Sequence, residues 1–203
     1  MVSVVIGLTG QTGAGKSTLA SYAEEKGCRV VNADAVAREV MQAGSSLLKG
    51  LAEIFGYDII DDKGGLKRRL LAERAFSTKE NTELLNRMTH SCINRRAEEY
   101  IKEYRKEGGV IVYDCPLLFE SGGDALCDIT AAVTAPESVR MNRIMSRDGL
   151  TEKEALLRIR AQKDEDFYRT GADVVIDGSA EMEKVIRDFD AFLEETARER
   201  GIL

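Results

Sequence analysis

The sequence predicts an α/β protein built on a parallel sheet, and two observations lead to this fold class. Five short apolar runs alternate with helical stretches along the 203 residues, which is the pattern of a sheet covered by helices. The first run leads directly into GLTGQTGAGKSTLA, where Gly10, Gly15, Lys16 and Ser17 match the spacing G-x-x-x-x-G-K-[ST]. Together they predict the P-loop NTPase fold, with a five-stranded parallel sheet flanked by helices.

The predicted strands are nearly continuous apolar runs, as expected for strands that are buried on both faces of a parallel sheet. The stretches between them are longer and amphipathic, which favours helices. The predicted strands are Val2–Leu8, Arg29–Asn32, Val110–Tyr113, Ile129–Val133 and Val174–Ile176.

Local signals mark some of the helix ends. Gly27 follows the helical stretch Lys16–Lys26 and is a typical residue at a helix C-terminus. Thr151 and Glu154 form the capping-box pattern T-x-x-E at the start of a later helix. The other predicted helices are Ala33–Gln42, Lys79–Glu107, Glu137–Arg147, Thr151–Tyr168 and Glu181–Arg198.

A long insertion interrupts the alternation of strands and helices. About 75 residues separate the second strand from the third without a convincing strand between them. In open α/β sheets, ligands bind beyond the carboxyl ends of the strands, so we expect the insertion to hold a substrate there. We predict one domain, 1–203, with a core at approximately 1–34, 108–135 and 170–203, a helical acceptor-binding insertion at 35–107 and a lid at 136–169.

The composition excludes several classes of protein. The net charge of −6 lacks the basic excess of nucleic-acid binders, and no apolar stretch approaches the roughly 18 residues of a membrane span. The four cysteines are far apart and His90 is the only histidine, so neither a zinc site nor a disulfide framework is expected. We expect a cytoplasmic protein with reduced cysteines.

The glycine-rich loop predicts a nucleotide phosphate site. Its glycines let successive backbone N–H groups face a phosphate, and the following helix adds the partial positive charge of its N-terminus. Lys16 would reach the β- and γ-phosphates, and the Ser17 hydroxyl would bind Mg²⁺. A dinucleotide-binding turn does not fit, because the glycines fall at 7, 10, 13 and 15, which does not match G-x-G-x-x-G.

Two predicted strands end in aspartates. Asp34 follows the second strand, in VVNAD, and we expect this strand to neighbour the strand that leads into the phosphate loop. A carboxylate there could accept or orient a proton on an acceptor hydroxyl. Alternatively, Asp34 could serve as the N-cap of the next helix. Asp114 ends the third strand, in VIVYD, which resembles a Walker B pattern, so Asp114 could hold Mg²⁺ directly or through water.

Three arginines, Arg140, Arg143 and Arg147, fall on one helical stretch. Arg143 and Arg147 are four residues apart and share a face. In a lid they could close over the ATP phosphates and neutralise developing charge. The alternative is a solvated face paired with nearby acids, and the spacing alone does not decide between the two.

The chain lacks the N-K-x-D motif with which a GTPase reads its base. A small core with a bulky insertion and an arginine-rich excursion instead favours a small-molecule kinase, which must hold its acceptor and exclude water.

Several segments together resemble the dephospho-coenzyme A kinases, a family of P-loop kinases with an adenylate-kinase-like core. The resemblance spans most of the chain, and its specific parts lie outside the generic phosphate loop. They are NAD-x-x-AR at Asn32–Arg38, LxR-x-x-L-x-x-x-x-F at Leu66–Phe76, LN-x-x-x-H at Leu85–His90 and D-x-PLLFE at Asp114–Glu120. The chain departs from the family pattern at Ser91, Arg140 and Asp177.

The resemblance implies that ATP phosphorylates the ribose 3′-hydroxyl of dephospho-coenzyme A, giving coenzyme A and ADP, with Mg²⁺ as the metal. It implies catalytic roles for Lys16, Asp34 and Arg143, with Asp34 on the acceptor side. The implied ATP-binding residues are Gly13, Ala14, Gly15, Lys16, Ser17, Thr18, Arg143 and Arg147. The implied acceptor-binding residues are Asp34, Arg68, Leu117 and Glu120, and the implied metal-binding residues are Ser17 and Asp114.

Two alternative functions remain open at this point. One is a nucleoside or nucleotide kinase of the same core. The other is a non-catalytic ATP-binding regulatory protein, against which the Asp34 carboxylate and the helical insertion argue. The expected partners are the small molecules ATP and dephospho-coenzyme A, with no nucleic acid and no membrane.

Overall fold

A parallel five-stranded sheet lies at the centre of the larger of two compact units in the computed structural model, which describes residues 1–202. The larger unit comprises Met1–Val31 and the chain from Ile101 onward, and the other unit is Asn32–Tyr100. The strands are β1 (Ser3–Gly10), β2 (Arg29–Asn32), β3 (Gly109–Asp114), β4 (Ile129–Thr134) and β5 (Val174–Asp177).

The strand order is β2-β3-β1-β4-β5. β1 pairs in parallel with β3 and with β4, and β4 pairs in parallel with β5. The predicted fold class and all five strands are therefore confirmed. However, the expectation that the strand before Asp34 neighbours the strand before the phosphate loop is wrong, because β3 lies between β2 and β1.

Nine α-helices lie between or after the strands within the described residues 1–202. They are α1 (Lys16–Glu25), α2 (Ala33–Val40), α3 (Ser46–Phe55), α4 (Arg68–Ala75), α5 (Lys79–Glu107), α6 (Glu137–Asp148), α7 (Glu152–Arg160), α8 (Glu165–Gly171) and α9 (Met182–Glu199).

The core of the sheet unit lies between the strands and two helices. Leu19 of α1 and Phe189 of α9 are fully buried against strand residues such as Ile6 and Val133. The chain leaves α1 through Gly27, which has a positive φ and closes the helix with a bond from the Cys28 N–H to the Ala23 carbonyl, as predicted.

The unit Asn32–Tyr100 has its own apolar core. Leu51 of α3 and Leu71 of α4 are buried in one cluster, against which Met88 of α5 packs. A polar contact joins α2 to α5, since Arg96 Nε and the Tyr100 hydroxyl each donate to one oxygen of Glu39, both at 2.8 Å. The acid and its two partners hold α2 against α5.

The predicted helix Thr151–Tyr168 is wrong as one element, because the structure has two helices there, α7 and α8. Thr151 and Glu154 form the predicted capping box at the start of α7. A second N-cap, Asp164, accepts a hydrogen bond from the Phe167 N–H at 2.9 Å and starts α8. A second cap inside an amphipathic stretch ends one helix and begins another.

None of the helices in the described part of the chain, residues 1–202, combines the length and the apolar run that crossing a bilayer requires.

His90, on α5, makes the free energy of unfolding depend on pH. Burial lowers the pKa of its imidazole below the usual 6.5, so the unfolded chain binds this proton more readily than the folded chain. The free energy of unfolding therefore falls as the pH drops through the pKa that the His90 imidazole has in the unfolded chain. We expect the His90→Asn variant to lose less thermal stability than the parent between about pH 7.5 and about pH 5.5.

The measurement is direct because the chain has one histidine. Its imidazole Hε1 resonance should titrate at lower pH in the folded protein than in the urea-unfolded protein. A folded-state midpoint equal to or above the unfolded one would contradict the prediction.

Candidate active site

The loop between β1 and α1 depends on glycine. Gly13 and Gly15 have φ values of 79° and 113°, which residues with a side chain rarely adopt. A Cβ atom at position 13 would also lie only 2.8 Å from the Arg140 carbonyl oxygen. No side chain caps α1, which begins at Lys16, so the start of this helix can receive an anion.

Within this loop the backbone N–H groups divide into two sets. Those of Gln11 and Ala14 donate to backbone carbonyls, and that of Thr12 donates to a side chain. Those of Gly13 and Lys16 have no acceptor among residues 1–202. These two unpaired N–H groups are the kind of donor that binds a phosphate.

Lys16 and Asp114 form an ion pair at the carboxyl edge of the sheet. The register pairs Leu8 of β1 with Asp114 of β3, so the aspartate lies beside the strand that leads into the loop. The two side chains are only 12% and 4% exposed. Removing one partner of such a buried pair typically costs about 3–5 kcal/mol, because the other charge is left uncompensated.

The oxygen ligands at this end of the sheet fit a magnesium ion that is bound partly by the protein and partly by substrate phosphates. Among residues 1–202 no group of three or more His, Cys, Asp or Glu side chains could hold a metal by itself. One carboxylate, Asp114, and the exposed hydroxyl of Ser17 are the candidate ligands. Mg²⁺ usually binds proteins through one or two carboxylates together with water and substrate phosphates.

The structure brings Arg143 to the phosphate loop but not Arg147. Arg143 Nη1 donates to the Gly178 carbonyl at 2.7 Å and to the Ala14 carbonyl at 3.3 Å. Arg147 is exposed and makes two hydrogen bonds to Asp148, at 2.7 and 2.8 Å. The solvated alternative therefore describes Arg147, while a role for Arg143 at the ATP phosphates stays a prediction.

Arg140 is buried and faces a different environment. Its Nε donates to the Ala135 carbonyl at 2.9 Å, and its Nη1 is buried without a hydrogen-bond partner among residues 1–202. Burial lowers the pKa of this guanidinium below its usual value. These contacts connect the start of α6 to the end of β4.

The segment after β3 rests on α8. The rings of Phe119 and Phe167 meet edge to face, with centroids 6.1 Å apart. Leu117 is 43% exposed, whereas Glu120 is half-buried and its Oε2 atom is buried without a hydrogen-bond partner in the described chain. Burial raises the pKa of Glu120, and burial raises the pKa of the neighbouring Tyr168 to about 12.

Asp34 and Arg68 belong to the unit Asn32–Tyr100. The alternative role of Asp34 as an N-cap is wrong, because Asn32 caps α2 by accepting a hydrogen bond from the Ala35 N–H at 2.8 Å. Asp34 is exposed in the first turn of that helix, and its carboxylate has no hydrogen bond or ion pair within its unit. Arg68 is the exposed first residue of α4 and forms no ion pair within this unit.

Sequence reasoning missed two residues that contact the loop. Gln162 Oε1 accepts the hydrogen bond from the Thr12 N–H at 2.7 Å. Gly178 follows β5 so closely against the loop that a Cβ atom there would overlap the Ala14 carbonyl oxygen. No local pattern signals either contact, since Thr12 and Gln162 are 150 positions apart and Ala14 and Gly178 are 164 positions apart.

Comparison with known proteins identifies the family. The family model for dephospho-CoA kinase matches residues 4–184. A dephospho-CoA kinase from Corynebacterium jeikeium is 42% identical over 190 residues, which is 93% of this chain and 97% of the relative. The chain belongs to the dephospho-CoA kinase family. The resemblance inferred from the sequence motifs is confirmed.

Solved structures share the fold. TT1252 from Thermus thermophilus is 32% identical and superposes with a TM-score of 0.78, covering 96% of this chain and 98% of that one. The dephospho-CoA kinase from Campylobacter jejuni has the same fold, with a TM-score of 0.73, 23% identity and the same coverage. Its membership of the family makes the chain an enzyme, a kinase, and supports dephospho-CoA kinase over the two alternative functions.

Glu120 provides a test of the segment after β3. Because burial raises its pKa, the folded chain holds this proton more tightly than the unfolded chain, and stability falls as pH rises through the raised pKa. Glu120→Gln removes the ionisation. We expect the melting temperature of the variant to gain on that of the parent between about pH 5 and about pH 8.

Melting curves across this pH range measure the effect. Glu24→Gln, on the exposed surface of α1, is the matched control. The difference between its melting temperature and that of the parent should not grow as the pH rises. If the melting temperature of Glu120→Gln falls relative to that of the parent as the pH rises, the prediction is contradicted.

Proposed function

We propose that this dephospho-CoA kinase family member transfers the γ-phosphoryl group of ATP to the ribose 3′-hydroxyl of dephospho-coenzyme A, giving coenzyme A and ADP. The observation that carries the proposal is the glycine loop opening onto α1, with Lys16 and Asp114 paired beside it. This arrangement presents a cation and free N–H donors where a triphosphate would be bound. The family assignment supplies the acceptor.

On the ATP side, we assign the phosphates to the loop and the start of α1. The residues are Gly13, Ala14, Gly15, Lys16, Ser17 and Thr18. Lys16 would bind the β- and γ-phosphates and neutralise charge as the phosphoryl group moves. Mg²⁺, held by Ser17 and by Asp114 directly or through water, would neutralise phosphate charge when bound.

On the acceptor side, Asp34 would accept or orient the proton of the 3′-hydroxyl. Its exposure and its freedom from helix capping support this role, since a capping carboxylate would be occupied by backbone N–H groups. Arg68 would bind the anionic groups of the acceptor, and Leu117 and Glu120 would contact its remainder. Positioning of this kind supplies much of the catalysis in phosphoryl transfer.

The two arginines of α6 would contribute differently. Arg143, already on the loop, would stabilise charge that develops on the transferred group. Arg147 would bind ATP only after its hydrogen bonds to Asp148 open. Such exposed pairs are weak, at about 0–1 kcal/mol, so nucleotide phosphates can compete with the aspartate.

The remaining assignments follow from this reaction. We assign acceptor binding to the insertion at 35–107 and lid function to 136–169. The partners are the small molecules ATP and dephospho-coenzyme A, without nucleic acid, and the site of action is the cytoplasm.

An acceptor panel tests the reaction. ADP release is measured with dephospho-coenzyme A, adenosine, AMP, CMP and dTMP as acceptors, and ³¹P NMR then locates the new phosphate. We expect turnover with dephospho-coenzyme A and a 3′-phosphate in the product. Lys16→Ala should nearly abolish turnover, which shows that the activity belongs to this chain. Turnover with a nucleoside or nucleotide alone would overturn the proposal.

Asp34→Asn tests the acceptor-side carboxylate. The amide cannot accept the proton, so we expect kcat to fall by about 10²-fold or more, with ATP affinity largely retained. Asp62→Asn, which alters another exposed aspartate of the same unit, is the matched control and should leave kcat unchanged. An Asp34→Asn variant with the kcat of the parent would remove Asp34 from the chemistry.

A further inference from the structure

Gln162 lies in the short break between α7 and α8, and its side chain contacts the phosphate loop. Its Oε1 atom accepts a hydrogen bond from the Thr12 N–H at 2.7 Å. The donor is a peptide group of the loop itself, two residues after β1 ends. This contact joins the region 136–169 to the loop that we assign to ATP.

The break between the two helices does not require this side chain. The Gln162 backbone N–H completes the end of α7 by donating to the Ile159 carbonyl at 3.2 Å. Asp164, not Gln162, is the N-cap of α8. The Gln162 side-chain oxygen therefore has the loop as its partner and no capping function.

Within the loop, the Thr12 N–H differs from its neighbours. The Gln11 N–H donates to the Val133 carbonyl at 3.3 Å and the Ala14 N–H to the Gln11 carbonyl at 3.1 Å, both backbone partners. Thr12 instead donates to a side chain. Its peptide orientation thus depends on one residue that can be substituted without changing the backbone.

The same region also holds the loop through its carbonyl groups. Arg143 Nη1 contacts the Gly13 and Ala14 carbonyls at 3.4 and 3.3 Å. One side chain from this region therefore accepts from a loop N–H while another donates to loop carbonyls. Fixing peptides on both sides sets the direction of the N–H groups left for phosphate.

We propose that Gln162 is a positioning residue for phosphoryl transfer, which holds the loop in its phosphate-binding conformation through the Thr12 N–H. The proposal rests on the proposed function for its link to turnover. Loss of the acceptor leaves a partly buried N–H unsatisfied, and the loop relaxes to satisfy it.

The primary variant is Gln162→Leu, which has a similar volume but no acceptor. Gln162→Glu retains an acceptor oxygen at the same reach and serves as the rescue variant. Glu195→Leu replaces another exposed polar side chain of similar length by leucine, on α9 and outside the regions assigned to ATP and the acceptor, and is the matched control. If Gln162→Leu does not fold, Gln162→Asn takes its place, because its amide is one methylene too short to reach Thr12.

Three measurements are compared with those of the parent protein. Amide hydrogen exchange at Thr12 reports the hydrogen bond without nucleotide. Calorimetric titration with ATP reports binding without an acceptor. Steady-state kinetics with dephospho-coenzyme A separates the two KM values from kcat.

We expect Gln162→Leu to speed exchange at Thr12 and weaken ATP binding about 3- to 10-fold, the factor that corresponds to one hydrogen bond. It should also lower kcat while leaving the KM for dephospho-coenzyme A unchanged. Gln162→Glu should restore protection at Thr12 and most of the ATP affinity. Glu195→Leu should match the parent in all three measurements.

A fall in melting temperature with unchanged ATP binding and kcat would overturn the proposal, because the contact would then serve folding alone. Unchanged exchange at Thr12 would overturn it as well. If the parent protein uses another acceptor, the proposed function fails, but exchange and ATP titration still test Gln162.

Discussion

The constraint on which this site depends is the close fit of a bare backbone loop between a sheet and its covering helices. A loop that binds phosphate through N–H groups must leave some of them unpaired, although unpaired buried donors destabilise a fold. The structure limits this cost by satisfying other loop groups with carbonyls and with side chains of the region 136–169. The donors that remain are those that a triphosphate would satisfy.

Charge at the site follows the same logic. Lys16 and Asp114 compensate each other at the sheet edge, so the lysine is held beside the loop without leaving a buried charge unpaired. Arg143 is held by carbonyl dipoles and not by a carboxylate, which leaves its positive charge uncancelled. A chain with a net charge of −6 can thus concentrate positive potential at its glycine-rich loop.

Sequence reasoning placed every strand to within two residues at each end, because buried parallel strands are local apolar runs. It left the answer open where two local solutions compete. Asn32 and Asp34 are both good N-cap residues, and only the structure shows that Asn32 is used. The contact of Gln162 with Thr12 was not predictable, because it depends on how distant elements pack and has no signature in spacing.

The turn after β5 imposes a restriction of another kind. Gly13 and Gly15 are needed for a backbone conformation, but Gly178 lacks a positive φ and is needed for the room it leaves, since the Ala14 carbonyl occupies the place of its missing side chain. Even alanine at 178 would push against the loop backbone at Ala14. The path of the loop backbone therefore limits which residues can stand at position 178, although the two segments are far apart in the sequence.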